Sequence, residues 1–298
     1  MKKSKKIIFV TLLILPVILF AQNIHKPADL DKSVVPVFSI HGNKANWGSG
    51  FIYDISDVLP DGTFVVSFIT SAHLVSSGVV AVGLPGLKDQ PVASQVIIHD
   101  RYDQNNQDKT KAFDVAVVKV ILKKEELDPN SLKALKIDDL IAGALPSERV
   151  IVAGFPQRGD QPPGDLLVEE TIVHSPSARF LPDYDYYFLT TDCIATYGMS
   201  GGPILRFIEP YPPYEKGNRW VVVGIIMGKT NFCDRNVTIP AIKEVVRLAK
   251  TPILWPVFEK VQIAPKKESK KPEKKKINRL LKNWSYARKI SPWPAFIR

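Results

Sequence analysis

Short runs of apolar and β-branched residues, bounded by Gly, Pro, Asn and Asp, recur along residues 34–246. Runs of this length between turn residues predict strands rather than helices. Helical spacing on one apolar face is scarce until Ala241, where AlaIleLysGluValValArgLeuAlaLys predicts a short helix over 241–250. The pattern therefore predicts an all-β chain closed by one helix. Two other stretches break the strand rhythm. Residues 7–20 form a continuous apolar run, and Ile277, Leu280, Leu281 and Trp284 recur at helical spacing with Arg279, Lys282 and Arg288 around them. The second pattern is that of a short basic amphipathic helix.

Long polar connections separate some of the strands. Residues 99–111 join two of them, and the Pro-rich segment 209–218 makes a hairpin tip. Loops of this kind on a rigid scaffold are either binding surfaces or tolerated insertions. Tyr184, Tyr186 and Tyr187 form an aromatic cluster that suits core packing or a substrate wall.

With 298 residues, 45% of them apolar, the chain can bury one or two compact units. The N-terminus changes the picture. Lys2, Lys3, Lys5 and Lys6 precede the apolar run, and Ala21 ends it with a small residue, so residues 1–21 read as an export segment. The run is shorter than the ~20 apolar residues of a spanning helix. Leu19 is large where cleavage prefers a small residue, so both a cleaved signal and a retained anchor stay open. The expected place is periplasmic or extracellular, with residues 22–32 as a linker. Charge marks the other end. From Glu259 to Arg298 there are thirteen Lys or Arg against three Glu, an excess that equals the formal net charge of +10 of the whole chain. Residues 256–298 thus form a basic, low-complexity tail, whose partner would be an anionic membrane surface or another polyanion. The alternative is a disordered tail that packs nowhere.

The candidate chemistry lies in TyrGlyMetSerGlyGlyProIle, residues 197–204. Gly198, Gly201 and Gly202 free the backbone around Ser200 for a tight turn that exposes the hydroxyl. The backbone N–H groups of Gly198 and Ser200 then converge on one point, as an oxyanion requires. A serine nucleophile needs a base and a group to orient that base. His73, in PheIleThrSerAlaHisLeuVal, stands where an apolar strand runs into small residues, and Asp114, in AlaPheAspValAlaValValLysVal, opens a strand beside apolar neighbours. A carboxylate buried there needs a hydrogen-bond partner, and a histidine N–H supplies one.

These residues resemble the trypsin-like, chymotrypsin-fold serine peptidases, and most of all the bacterial HtrA-like protease domains. ThrSerAlaHis is similar to the family's TAAH, and IleIleHisAspArgTyr followed by PheAspValAlaVal resembles its HPxY and DIAL pair. ThrAspCysIleAlaThrTyrGlyMetSerGlyGlyPro, residues 191–203, is similar without a gap to the serine loop of HtrA proteins. The likeness covers roughly residues 33–250. It implies two six-stranded antiparallel β-barrels over 33–255, with a boundary near 125–146; residues 256–298 leave no room for a PDZ domain, which departs from full-length HtrA proteins. It also implies His73 as general base, Asp114 as its orienter and Ser200 as nucleophile of an endopeptidase. A polypeptide is the expected substrate, and neither metal nor cofactor is implied.

Two departures from trypsin shape the expectation. Met199 stands where trypsins carry the aspartate that pairs with a freed N-terminus, so activation by that ion pair is not available. Ile194 falls where trypsin has its acidic pocket base, so a preference for Lys or Arg is not expected. An apolar floor suits small or medium apolar side chains, with Met227, Gly228, Lys229 and Asn236 as the walls. Cys193 and Cys233 flank the serine loop and a pocket strand, much as one trypsin disulfide does, and export favours their pairing. Two separate thiols remain the alternative. Neither cysteine has a Cys or His neighbour at zinc-ligand spacing. A protease-like binding protein without catalysis, and a protein acting mainly through its basic tail, are the rival functions.

Overall fold

A computed structural model describes residues 29–250 except 42–43, 88–89, 107–110, 140–143, 158–163, 180–186, 193, 209–218 and 230–233. The export segment, the basic tail with its 277–284 pattern, Cys193, Cys233, Tyr184, Tyr186 and the 209–218 tip lie outside the described residues. The side chains of Tyr187 and Lys229 are not described either.

The first sheet holds β1 (Val34–His41), β2 (Lys44–Ile55), β3 (Thr63–Thr70), β4 (Val79–Val82), β5 (Gln95–Ile98) and β6 (Ala116–Lys123), in the order β4-β1-β2-β3-β6-β5. Alternation sets its inner face. Phe64, Val66 and Phe68 of β3 pair with Leu122, Val120 and Val118 of β6, and all six are buried in one cluster. Paired residues of antiparallel strands point to the same side, so the register alone stacks these side chains. Residues 91–94 close the barrel: Val82 N–H donates to Pro91 O at 3.1 Å, and Ser94 N–H to Lys119 O at 2.8 Å.

The second sheet holds β7 (Lys136–Ile137), β8 (Arg149–Gly154), β9 (Leu167–Arg179), β10 (Tyr187–Thr191), β11 (Pro203–Ile208), β12 (Arg219–Lys229) and β13 (Asp234–Thr238). Six of these strands run β11-β8-β9-β10-β13-β12, and pairing of β11 with β12 joins the two ends. Val150, Val152, Val173, Leu189, Ile204, Val221 and Val223 fill the interior. The two six-stranded antiparallel barrels of the sequence reading are present. The difference is β7, a two-residue strand from the link between the barrels that lies parallel on β12. Arg206 of β11 forms a buried ion pair with Asp138, just after β7, which ties that link to the second barrel.

A third cluster joins the barrels to each other and to the last helix. It contains Phe51, Ile69 and Val117 from the first barrel, Ile151, Leu205 and Ile225 from the second, and Ile242 and Val245 from the helix. That helix, Ile239–Lys250, starts two residues before the stretch its spacing suggested, because β13 runs straight into it. It docks on the first barrel as well. Lys119 Nζ donates to Ala249 O at 2.8 Å, and His99 Nε2 lies 3.2 Å from Glu244 Oε2.

Candidate active site

The site lies where the barrels meet, and the register of β3 and β6 creates half of it. Thr70 at the end of β3 pairs with Ala116 at the start of β6, so the chain leaves both strands at one edge. Three residues after Thr70 comes His73, inside a one-turn helix, Ala72–Val75, rather than at the strand end itself. Two residues before Ala116 comes Asp114. Its carboxylate grips the histidine twice: Oδ2 lies 2.6 Å from His73 Nδ1, and Oδ1 accepts the His73 backbone N–H at 2.8 Å. Nδ1–H is then the donor, which leaves Nε2 as the basic nitrogen. The Asp114 side chain is 5% exposed and that of His73 31%, so the carboxylate is buried and the imidazole is open to solvent. Tyr102 packs nearby, and burial together with the Asp114 charge pushes its phenol well above the ordinary value.

The serine loop, residues 192–202, forms the other half. Ser49 of β2 holds it from the first barrel. The Ser49 hydroxyl donates to Gly198 O and accepts Phe155 N–H, both at 2.8 Å, while Ser49 N–H donates to Ser200 O at 2.8 Å. Further back, Gln157 N–H donates to Tyr197 O at 2.7 Å, and Gly201 N–H donates to Ile226 O at 2.7 Å. Gly198 and Gly201 adopt φ of +89° and +87°. A Cβ on Gly201 would stand 2.1 Å from Ser49 O and 2.8 Å from Ser71 N, so the loop presses on the residues just before His73. Only glycine fits there.

Between Gly198 and Gly202, the N–H groups of Met199, Gly201 and Gly202 are used by Thr196 O, Ile226 O and Met199 O. Among the described residues, those of Gly198 and Ser200 have no acceptor, and the Ser200 hydroxyl donates to Met227 O at 3.2 Å rather than to His73.

The residues read as pocket walls take different places. Ile194 is half-buried against the second-barrel core. Met227 is buried and supplies the carbonyl that receives Ser200. Among the described residues, no atom lies within 4 Å of the position a Cβ on Gly228 would take. Asn236 is buried, its amide donating to Leu189 O at 3.0 Å and Thr191 Oγ1 at 3.2 Å, so it braces β10 against β13. Lys229 pairs through its backbone with Asp234.

Two residues escaped the sequence reading. Ser49 is an ordinary small residue in a strand, and the partners of its hydroxyl are more than a hundred positions away. Asp234 is buried and accepts the N–H groups of Ile194 at 2.9 Å and Ala195 at 2.7 Å, which offsets part of the cost of burying a carboxylate and fixes the start of the serine loop. The only signal for Asp234 was an acid amid strand residues. Among the described residues, His99, Asp100 and Glu244 bring metal-ligand atoms within 4.8 Å of one another. Hydrogen bonding explains the group: Nδ1 accepts Arg101 N–H at 3.2 Å, which leaves Nε2–H to donate to Glu244.

The sequence model of the trypsin-like peptidase domain matches residues 48–207, more than half of the chain. The chain belongs to that family. The matched span contains His73, Asp114 and Ser200. No curated protein matches the chain. Among solved structures, the thermostable serine protease AL20 from an extremophilic microorganism is similar at 12% identity and TM-score 0.52, with 76% of this chain and 100% of that one covered. The active form of the Rv3671c protease from M. tuberculosis is similar at 20% identity and TM-score 0.50, over 73% of this chain and 80% of that one. An inactivated protease paralogue of the scabies mite is similar at 13% identity and TM-score 0.52, over 75% of this chain and 97% of that one. At these identities the likeness speaks for the trypsin-like fold alone.

Proposed function

We propose that this trypsin-like peptidase is an exported serine endopeptidase that hydrolyses polypeptides through an acyl-enzyme on His73, Asp114 and Ser200. The observation that carries the proposal is the two-point grip of Asp114 on His73, which fixes the tautomer a general base needs. In this reading the Ser200 hydroxyl turns from Met227 O to His73 Nε2 when substrate enters. Its proton passes to Nε2 as Oγ bonds to the peptide carbonyl carbon. The N–H groups of Gly198 and Ser200 receive the resulting oxyanion, which fits their lack of partners among the described residues. The imidazolium then protonates the leaving amine as the C–N bond breaks, and water repeats the sequence on the ester. These steps need no metal or cofactor. In the same reading residues 1–21 direct export, Cys193 pairs with Cys233 in the oxidising space, and the tail after Pro256 rests on an anionic surface.

A fold that also serves an inactivated paralogue leaves the chemistry to experiment. A fluorophosphonate probe should label the full chain at Ser200, and Ser200→Ala should abolish both labelling and peptide cleavage. Absence of label and of cleavage in the unaltered chain would favour the rival reading, a protease-like binding protein.

A further inference from the structure

Of the large apolar side chains left exposed among the described residues, Tyr197 is the most open, at 83%. A single exposed ring is ordinary on a protein surface. Its position is not. Tyr197 directly precedes Gly198, whose N–H has no acceptor among the described residues and serves the proposed mechanism as an oxyanion donor. The backbone of this stretch is held at every carbonyl. Thr196 O accepts Met199 N–H at 3.1 Å, Tyr197 O accepts Gln157 N–H at 2.7 Å, and Gly198 O accepts the Ser49 hydroxyl at 2.8 Å. A Cβ on Gly198 would stand 2.5 Å from Phe155 O, so the chain after Tyr197 is pressed onto residues 155–157. The backbone under the ring is fixed while the ring itself stands in solvent. An aromatic side chain on a fixed backbone loses little freedom when it makes a contact, which suits it to binding.

The same loop sets the side on which the ring stands. Downstream, the Ser200 hydroxyl donates to Met227 O at 3.2 Å and Gly201 N–H to Ile226 O at 2.7 Å, so that end rests on β12. Upstream, Tyr197 is held from the connection that follows β8. The oxyanion point at Gly198 and Ser200 thus has β12 on one flank and Tyr197 on the other. Met227 and Gly228 of β12 are the expected pocket walls for the acyl part of a substrate, so the leaving part passes Tyr197. An extended chain advances about 3.3 Å per residue, and a ring anchored one residue from the oxyanion point reaches the first or second residue after the bond.

The geometry points to Tyr197 as a specificity residue that packs its ring on an aromatic side chain of the substrate, one or two residues after the scissile bond. Ring pairs gain more than their buried area alone supplies, which favours Phe, Tyr or Trp there over an aliphatic residue. The inference rests on the endopeptidase reading above. It adds the class of substrate on the leaving side.

The test uses the full chain and internally quenched peptides that span the cut and are identical before it. The first and second positions after the cut carry Phe, Leu or Ala in turn, and mass spectrometry of the products fixes the bond cleaved. The expected kcat/KM is about 3- to 10-fold higher for Phe than for Ala at one of these positions, with Leu between. In Tyr197→Ala that ratio should fall to about one, and Tyr197→Phe should keep it, because the ring and not the hydroxyl makes the contact. Each ratio compares two peptides on one enzyme, so a general change at the oxyanion point cancels. Fluorophosphonate labelling of Ser200 in each variant reports an intact nucleophile. Ratios near one at both positions in the unaltered enzyme overturn the inference even if the variants fail to fold. A ratio that Tyr197→Ala leaves unchanged overturns it too, as does a change in selectivity confined to the residue before the bond. Absence of both label and turnover would remove the endopeptidase reading itself, and this inference with it.

Discussion

At the scale of single residues the proposed mechanism divides the site into groups that react and groups that hold them. Ser200→Ala and His73→Ala should each lower kcat by about 10⁶, and the double variant should be hardly worse, because the residues act as one unit. Asp114→Asn should cost about 10⁴, since an amide at Oδ2 favours the wrong imidazole tautomer. Steady-state turnover of a fluorogenic peptide measures all three, and near-normal activity in Ser200→Ala would sink the mechanism. Ser49 belongs to the holding groups. Removing its hydroxyl in Ser49→Ala leaves Phe155 N–H and Gly198 O buried without partners, at roughly 1–3 kcal/mol for each group. Because Gly198 O belongs to the peptide that precedes Met199, the loop geometry should loosen as well. Urea unfolding should show lost stability, and kcat should fall while KM changes little; unchanged kcat would mean that the loop holds its shape without Ser49.

At the scale of elements, the last helix and the first barrel are joined by a titratable contact. Burial holds His99 below the ordinary imidazole value despite Glu244 and Asp100, which pull the other way, while Arg101 adds to the lowering. The Phe113 ring packs against the imidazole at a tilt of 38°, with centroids 4.8 Å apart. Burial outweighs these charges, since Asp100 is largely in solvent, which screens its pull. The folded pKa is thus the depressed one, so the unfolded chain binds the proton more readily. Stability from neutral His99 is fully present above the unfolded value of about 6.5 and is lost as pH falls below it. Thermal unfolding from pH 8 to pH 5 should show a falling Tm, and His99→Gln, which keeps a donor but does not titrate, should flatten the slope. Equal slopes in the two proteins would place the acid sensitivity elsewhere.

At the scale of the whole molecule, charge and fold are separated along the chain. The excess of Lys and Arg from Glu259 onward equals the formal net charge, so residues 1–258 sum to zero, and with the four lysines of the export segment set apart the barrels carry a small negative excess. Deleting the residues after Val261 should leave cleavage of a small neutral peptide nearly unchanged and remove most salt-sensitive binding to anionic vesicles. Screening within about 10 Å at 0.1 M salt should let added salt mimic the deletion in the full chain. Loss of peptide turnover on truncation would instead mean that Trp284 and its apolar neighbours pack on the barrels.

The sequence by itself determined the strands and the closing helix, and it singled out three residues of the candidate site. Strand alternation is a local property, and the Gly-rich turn around Ser200 is a demand on local backbone, so both are written in neighbouring residues. His73 and Asp114 were legible for the same reason, each standing at the edge of an apolar strand. Only the tertiary structure decided what lies across the sheets. Ser49 reaches Gly198 and Phe155 across the gap between barrels, Asp234 reaches Ile194 forty positions earlier in the chain, and β7 finds β12 from the link between the barrels. The bulge between Ile226 and Gly228 decides that Arg235 pairs with Gly228 rather than with Met227. A one-residue shift in register would turn Arg235 away from Gly228, and local periodicity carries no record of register between strands.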